Sequence, residues 1–196
     1  YPYTYANATK TYTLTQNINE SIVIISDNIR LDGSDTVISG PGWGYGIYLN
    51  GRTGITITNC SVQNFVIGIF FLYSSNNNLT GNTASSNIWH GIRFYLCQNN
   101  TVTENKTNSN TYGTGIDIDA DYNTITYNES NLNGSFGIAC NGSPSTITNN
   151  TTNGNSYMGI YVAGANNIIT NNKAESNLYG IVPWHGPFTF TNNTST

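Results

Sequence analysis

Apolar residues in this chain come in short alternating runs cut by polar turns, without the three-to-four-residue spacing of an amphipathic helix. The clearest unit is Gly-Ile-x-Φ, where Φ is apolar. Its glycines are Gly46, Gly68, Gly91, Gly115, Gly137, Gly159 and Gly180, spaced by 22, 23, 24, 22, 22 and 21 residues. Ten or eleven residues after each glycine an apolar residue precedes Thr, at Ile57, Leu79, Val102, Ile125, Ile147, Ile169 and Phe190. Each copy therefore predicts strand, turn, strand, turn. Strands this short cannot bury a face within one copy, so the copies must stack, each strand pairing with its equivalents above and below at about 4.8 Å. Alternation then sends Ile47, Ile69, Ile92, Ile116, Ile138, Ile160 and Ile181 into a common core, with Leu49, Phe71, Phe94, Ile118, Cys140 and Val162.

Two polar columns accompany the apolar ones. Asn82, Asn105, Asn128, Asn150, Asn172 and Asn193 lie three residues beyond the second apolar position, where the first copy has Cys60; Asn87, Asn110, Asn133, Asn155 and Asn177 lie five further on. Stacked amides can hydrogen-bond from rung to rung, and Asn tolerates the left-handed backbone of a tight turn, so both columns are expected to shape corners and bind nothing. Upstream, residues 12–18 and 22–38 alternate around Asp32-Gly33-Ser34. The organisation read from this is an N-terminal segment with irregular opening rungs over 1–45 and regular rungs over 46–196, in one continuous domain.

Composition removes several functions. Only 8% of the 196 residues are charged, and the net charge of −4 rests on 10 acidic and 6 basic side chains. That is too few cations to track phosphates, so no nucleic-acid partner is expected. No apolar run approaches the ~18 residues of a membrane span, so no membrane insertion is expected. Opening at Tyr1 without Met or a leader, the chain reads as a mature secreted or cell-surface protein. Cys60, Cys97 and Cys140 lack metal-ligand spacing and read as buried free thiols, one disulfide being the alternative.

Outward positions of the Gly-Ile strands carry Tyr48, Phe70, Arg93, Tyr95, Asp117, Asp119, Tyr161 and Trp184. A flat face rich in aromatics suits sugar rings or another protein. Asp117, Asp119 and Asp121 alternate, and neighbouring outward positions on a strand are about 6.8 Å apart, with Arg93 one rung before Asp117. That arrangement fits an inverting glycosidase, a weak Ca²⁺ site at Asp117, Asp119 and Asp121, or a solvated ion-pair patch. His90 and His185 read as turn residues far apart along the axis, so no acid and base converge; no catalytic residue, resident metal or other cofactor is assigned. Asn-x-Ser/Thr sequons make N-linked glycans expected. The acceptor candidates outside the ladders are Asn7, Asn19, Asn59, Asn78, Asn99, Asn141, Asn149 and Asn192.

The run Asp27-Asn28-Ile29-Arg30-Leu31-Asp32-Gly33, then Ile38-Ser39-Gly40, then repeats such as Tyr122-Asn123-Thr124-Ile125-Thr126-Tyr127-Asn128, resembles the NosD-like and CASH family of parallel β-helix repeats over residues 12–196. The fold expected is all-β, a single-stranded right-handed parallel β-helix of about 7–8 rungs. The resemblance implies a secreted or cell-surface setting, often archaeal, among carbohydrate-binding proteins and sugar hydrolases. The leading expectation is a non-enzymatic structural glycoprotein that self-associates head to tail into a filament, sheath or layer. The alternatives are a carbohydrate-binding module using the aromatic face and, behind it, a polysaccharide lyase or hydrolase centred on Arg93, Asp117 and Asp119.

Overall fold

The computed structural model describes residues 2–196 and is a right-handed parallel β-helix of about eight turns. Two continuous sheets run its length. An eight-stranded sheet contains Ile22–Ile24, Tyr45–Asn50, Ile67–Leu72, His90–Tyr95, Ile116–Asp119, Ile138–Cys140, Met158–Ala163 and Tyr179–Trp184, all parallel. A ten-stranded sheet carries the apolar-Thr segments, from Arg30–Asp32 to Phe188–Thr191. Register follows the repeat, so that Ile22, Ile47, Ile69, Ile92, Ile116, Ile138, Ile160 and Ile181 form one ladder. From Ile47 to Ile160 each of these isoleucines is completely buried. Phe71 stacks on Phe94 inside the core at 4.4 Å between ring centroids.

The structure departs from the sequence reading in four places. Each rung has a third side, built from Val37–Ser39, Ser61–Gln63 and Thr83–Ala84 and continued by single bridges at Lys106, Glu129, Thr151 and Lys173. Its inward column is Ala84, Thr107, Ser130, Thr152 and Ala174, all buried, and the repeat glycines pack against this column. A Cβ on Gly115 would collide with Ser130 and Asn133, so close approach at this corner is why the repeat begins with Gly. Second, the left-handed residue is the one before each ladder Asn, as at Glu104, Tyr127, Leu132 and Asn149, while the ladder Asn itself turns its amide inward. Third, Phe190 is 46% exposed although its equivalents from Ile57 to Ile169 are buried, because among the described residues its strand is the last of the ten-stranded sheet. Fourth, within the N-terminal segment Tyr3–Ala6 folds back and pairs antiparallel with Thr11–Leu14, covering that edge of the ten-stranded sheet, where only parallel rungs were expected.

The Asn columns are hydrogen-bonded throughout. Each ladder Oδ1 accepts the backbone N–H of the ladder residue one rung earlier, as from Asn105 to Asn128 at 3.0 Å, and the Nδ2 groups donate to backbone carbonyls, except at Asn133, which donates to Ser130 Oγ and Asn155 Oδ1. A third ladder, Asn77, Asn100, Asn123, Ser145 and Asn167, accepts the backbone N–H of the preceding rung in the same way at the remaining corner, with the Ser145 hydroxyl in place of an amide. Cys60, Cys97 and Cys140 are free and buried. Burial pushes the Cys60 thiol up to about 12 and that of Cys140 to about 11.

Candidate functional site

On the outer face of the eight-stranded sheet, four ionisable side chains from two adjacent rungs meet. Arg93 and Asp117 sit directly opposite each other in the parallel pairing, as do Tyr95 and Asp119. The Arg93 guanidinium bridges both carboxylates, with Nε 3.4 Å from Asp117 Oδ2 and Nη2 3.4 Å from Asp119 Oδ2. The first contact is an ion pair without hydrogen-bond geometry, leaving the buried Nε–H without an acceptor. The same guanidinium lies 5.6 Å from the Tyr95 ring centroid. Asp119 Oδ1 accepts from the Asn141 side-chain amide at 2.6 Å.

His90 completes the cluster. Its Nε2 is 3.8 Å from Asp117 Oδ2 and its Nδ1 accepts the Thr114 backbone N–H at 3.3 Å. With Nδ1 acting as acceptor, the neutral ring carries its proton on Nε2, which lies between Asp117 Oδ2 and, at 3.5 Å, Arg93 Nη1. Acid and base groups therefore do converge, contrary to expectation. His90 is the first residue of the strand His90–Tyr95, one position before the repeat glycine. That position was missed because only residues after the glycine were counted as outward. Strict alternation gives His90 the inward parity of Ile92; it reaches the outer face because the alternation breaks at Gly91, which packs inward against Ala84 and Asn110.

The environments drive the site's titrations apart. Asp117 is 8% exposed, and burial, reinforced by the Asp119 carboxylate and partly offset by Arg93, raises its carboxyl to about 6. Burial first, and Arg93 second, lower His90 to about 4. At about pH 5 the site thus holds a neutral imidazole, a carboxyl that largely keeps its proton and one permanent cation.

Aromatic rings flank this polar centre along the helix axis. Tyr45, Tyr48 and Phe70 form one cluster, with centroids 5.0 to 5.7 Å apart. Phe136, Tyr157 and Tyr161 form another at 5.5 and 5.7 Å. Between them Ala139 follows Asp117 in the register and lowers the surface to a methyl group. The face is thus less flat than expected: Phe70 is packed over by Tyr45 and Tyr48 to 9% exposure. Beside the centre a groove of about 290 Å³ leads off the sheet over Asp119, lined by Leu96, Gln98, Asp121 and Asn141 among others. Trp184 sits apart, in the last rung, against His185 at 5.0 Å.

Asp121 does not join Asp117 and Asp119; its Oδ1 accepts the Ser143 N–H at 2.8 Å. Among the described residues no three His, Cys, Asp or Glu side chains gather where they could hold a metal ion. Of the sequon candidates, Asn7, Asn19, Asn59, Asn78, Asn99, Asn141 and Asn192 are exposed and Asn149 is half-buried. The ladder sequons Asn105, Asn128, Asn133 and Asn150 are buried.

Comparison with solved structures places other proteins on this architecture. The periplasmic alginate epimerase AlgG superposes with a TM-score of 0.69 at 17% identity, covering 84% of this chain and 46% of its own. An alginate lyase from Paenibacillus sp. str. FPU-7 gives 0.65 at 18%, covering 75% and 60%. The catalytic domain of a GH87 α-1,3-glucanase in complex with tetrasaccharides gives 0.52 at 14%, covering 96% and 55%. The chain spans about half the length of these structures, and at such identities they share its fold alone. No curated protein matches the sequence. The expectation of a non-enzyme is corrected: the proteins that share this fold are polysaccharide-active enzymes, and His90 stands beside Asp117 where no acid and base were expected to meet.

The remaining match is to a family described as periplasmic copper-binding protein (NosD), over residues 11–194. Copper takes imidazole, thiolate and thioether ligands. Here His90 and His185 lie four rungs apart, about 19 Å along the axis. The thiols are buried with raised pKa, so these residues do not fit a copper site. Matching nearly its whole length, residues 11–194, this chain belongs to the NosD family of parallel β-helix proteins.

Proposed function

We propose that this chain hydrolyses a polysaccharide laid along the outer face of its eight-stranded sheet, in an extracytoplasmic setting. The observation that carries the reading is the pair Asp117 and Asp119, two carboxyls on one strand in unlike environments. Asp117 is buried and keeps its proton to about pH 6, as a general acid must. Asp119 is the more exposed of the two and fixed by Arg93 and Asn141. The two side chains leave the same face of one strand two residues apart, about 6.6 Å between Cα atoms, and Arg93 bridges their carboxyls; inverting hydrolysis needs the carboxyl groups ~6.5–9.5 Å apart to seat a water between them. Asp117 gives its proton to the glycosidic oxygen as the bond to the anomeric carbon breaks. Asp119 takes a proton from the water attacking that carbon from the opposite face. Arg93 holds both carboxyls in place, and the aromatic clusters offer ring faces on either side. The family's periplasmic description and the polysaccharide-active enzymes sharing the fold support the setting and the substrate class. A scaffold role through end-to-end stacking does not compete with this, since a solenoid held at the surface can carry a site.

The test is release of reducing ends from a polysaccharide panel by wild type, D117N and D119N. Each substitution should lower turnover by about 10²- to 10⁴-fold, and wild-type activity should fall above about pH 6 as Asp117 ionises. Wild-type turnover in D117N would overturn the assignment, whereas binding without any release would leave a carbohydrate-binding module.

A further inference from the structure

We infer that the outer face selects a neutral polysaccharide, one without carboxylate or sulfate groups; this rests on the functional reading above and narrows its substrate. The eight strands of the sheet contain one cation, Arg93, and two carboxyls, Asp117 and Asp119. Both contacts of Arg93 with carboxylates are internal, at 3.4 Å each, so its charge is already spent when a ligand arrives. The other cations lie elsewhere. Arg30 is in the ten-stranded sheet beside Asp32, and Lys106 and Lys173 are on the third side. Lys10 follows the 3₁₀ turn Asn7–Thr9, and Arg52 is tied to Asp27 at 3.6 Å and to the Ile25 carbonyl at 3.1 Å.

A polyuronate would therefore bring a row of carboxylates onto a face whose net charge is zero or negative, with no unengaged guanidinium or ammonium to receive them. Desolvating those carboxylates without a partner is costly. Around the polar centre the face offers ring surfaces and neutral donors instead. Tyr48 and Tyr161, both partly exposed, occupy the same outward column five rungs apart, about 24 Å, with the acid-base centre between them. Ring faces on both sides of a nearly uncharged groove suit the C–H faces of neutral sugars. The preference differs from the uronate polymer named for two of the proteins that share this fold.

The experiment is affinity electrophoresis of the full chain through gels containing neutral glucans, mannans or xylans, against gels containing polygalacturonate or alginate, with reducing ends measured in parallel. At least one neutral polymer should retard the protein about tenfold more strongly than either polyuronate, and added salt should leave that retardation unchanged. Tyr161→Ala should weaken neutral binding by about tenfold, while Tyr127→Ala, at an exposed corner away from this sheet, should not. Stronger binding or cleavage of a polyuronate would overturn the neutral preference and leave the hydrolase reading standing. Retardation by neither class would overturn both.

Discussion

At Asp117 burial holds a proton on to about pH 6, and at His90 the same desolvation keeps a proton off until about pH 4. The signs of the two stability effects are opposite. Between pH 3.8 and about 6 the folded chain binds more protons at Asp117 than the unfolded chain, so this group's contribution falls as pH rises. Between about 4 and 6.5 the folded chain binds fewer at His90, so that contribution grows as pH rises. Each shift is worth about 3 kcal/mol, so in the wild type the two nearly cancel. Urea midpoints should then climb with pH in D117N and decline with pH in His90→Asn, while the wild type stays flat between them. Parallel profiles for all three proteins would show that the two groups do not titrate as described. Strand parity made Arg93, Asp117 and Asp119 legible from sequence. The depth of Asp117 was not, because a long Arg side chain and an imidazole lying over a carboxyl leave no trace in an alternation pattern.

Among the elements, the two continuous sheets were legible because an inward aliphatic recurs in each. The third side was not. Its inward residues are Ala84, Thr107, Ser130, Thr152 and Ala174, too small or too polar to register as an apolar position, and Thr107 and Ser130 meet through a 2.9 Å hydrogen bond. The Asn columns were recognised and their amides do bond from rung to rung, but the left-handed turn was assigned to the wrong residue. The ladder amide satisfies backbone groups of neighbouring rungs, and the residue before it takes the left-handed turn. Asn128 shows what this is worth. Its Oδ1 accepts from Asn105 N–H at 3.0 Å and from Asn105 Nδ2 at 3.0 Å, and its Nδ2 donates to the Val102 and Thr126 carbonyls. Asn128→Ala leaves those buried groups unpaired and should destabilise the protein by about 3 kcal/mol. The check is the urea midpoint against that of Tyr127→Ala, whose side chain is 61% exposed at the adjoining position. Equal midpoints would mean that water replaces the ladder amide at little cost.

Across the whole molecule each rung touches its neighbours alone, so stability sums over rung interfaces and local opening should be graded along the axis. The candidate site falls on the rungs beginning at Gly91 and Gly115, where Ile92, Phe94, Ile116 and Ile118 are at most 1% exposed and strands pair on both sides. The rung from Gly180 is different: Ile181 and Phe188 are only partly buried and Trp184 is 53% exposed. A hydrolytic centre needs its acid and base held in fixed geometry, and the interior of a solenoid is where the backbone is most constrained. Hydrogen exchange read by mass spectrometry should therefore find the amides of His90–Tyr95 and Ile116–Asp119 among the slowest. Those of Tyr179–Trp184 and Phe188–Thr191 should exchange faster by at least about 10²-fold, a difference of about 3 kcal/mol in opening free energy. Uniform exchange across all rungs would mean that the helix opens as one cooperative unit. The rigidity of the site would then be a property of the whole fold rather than of its position along the axis.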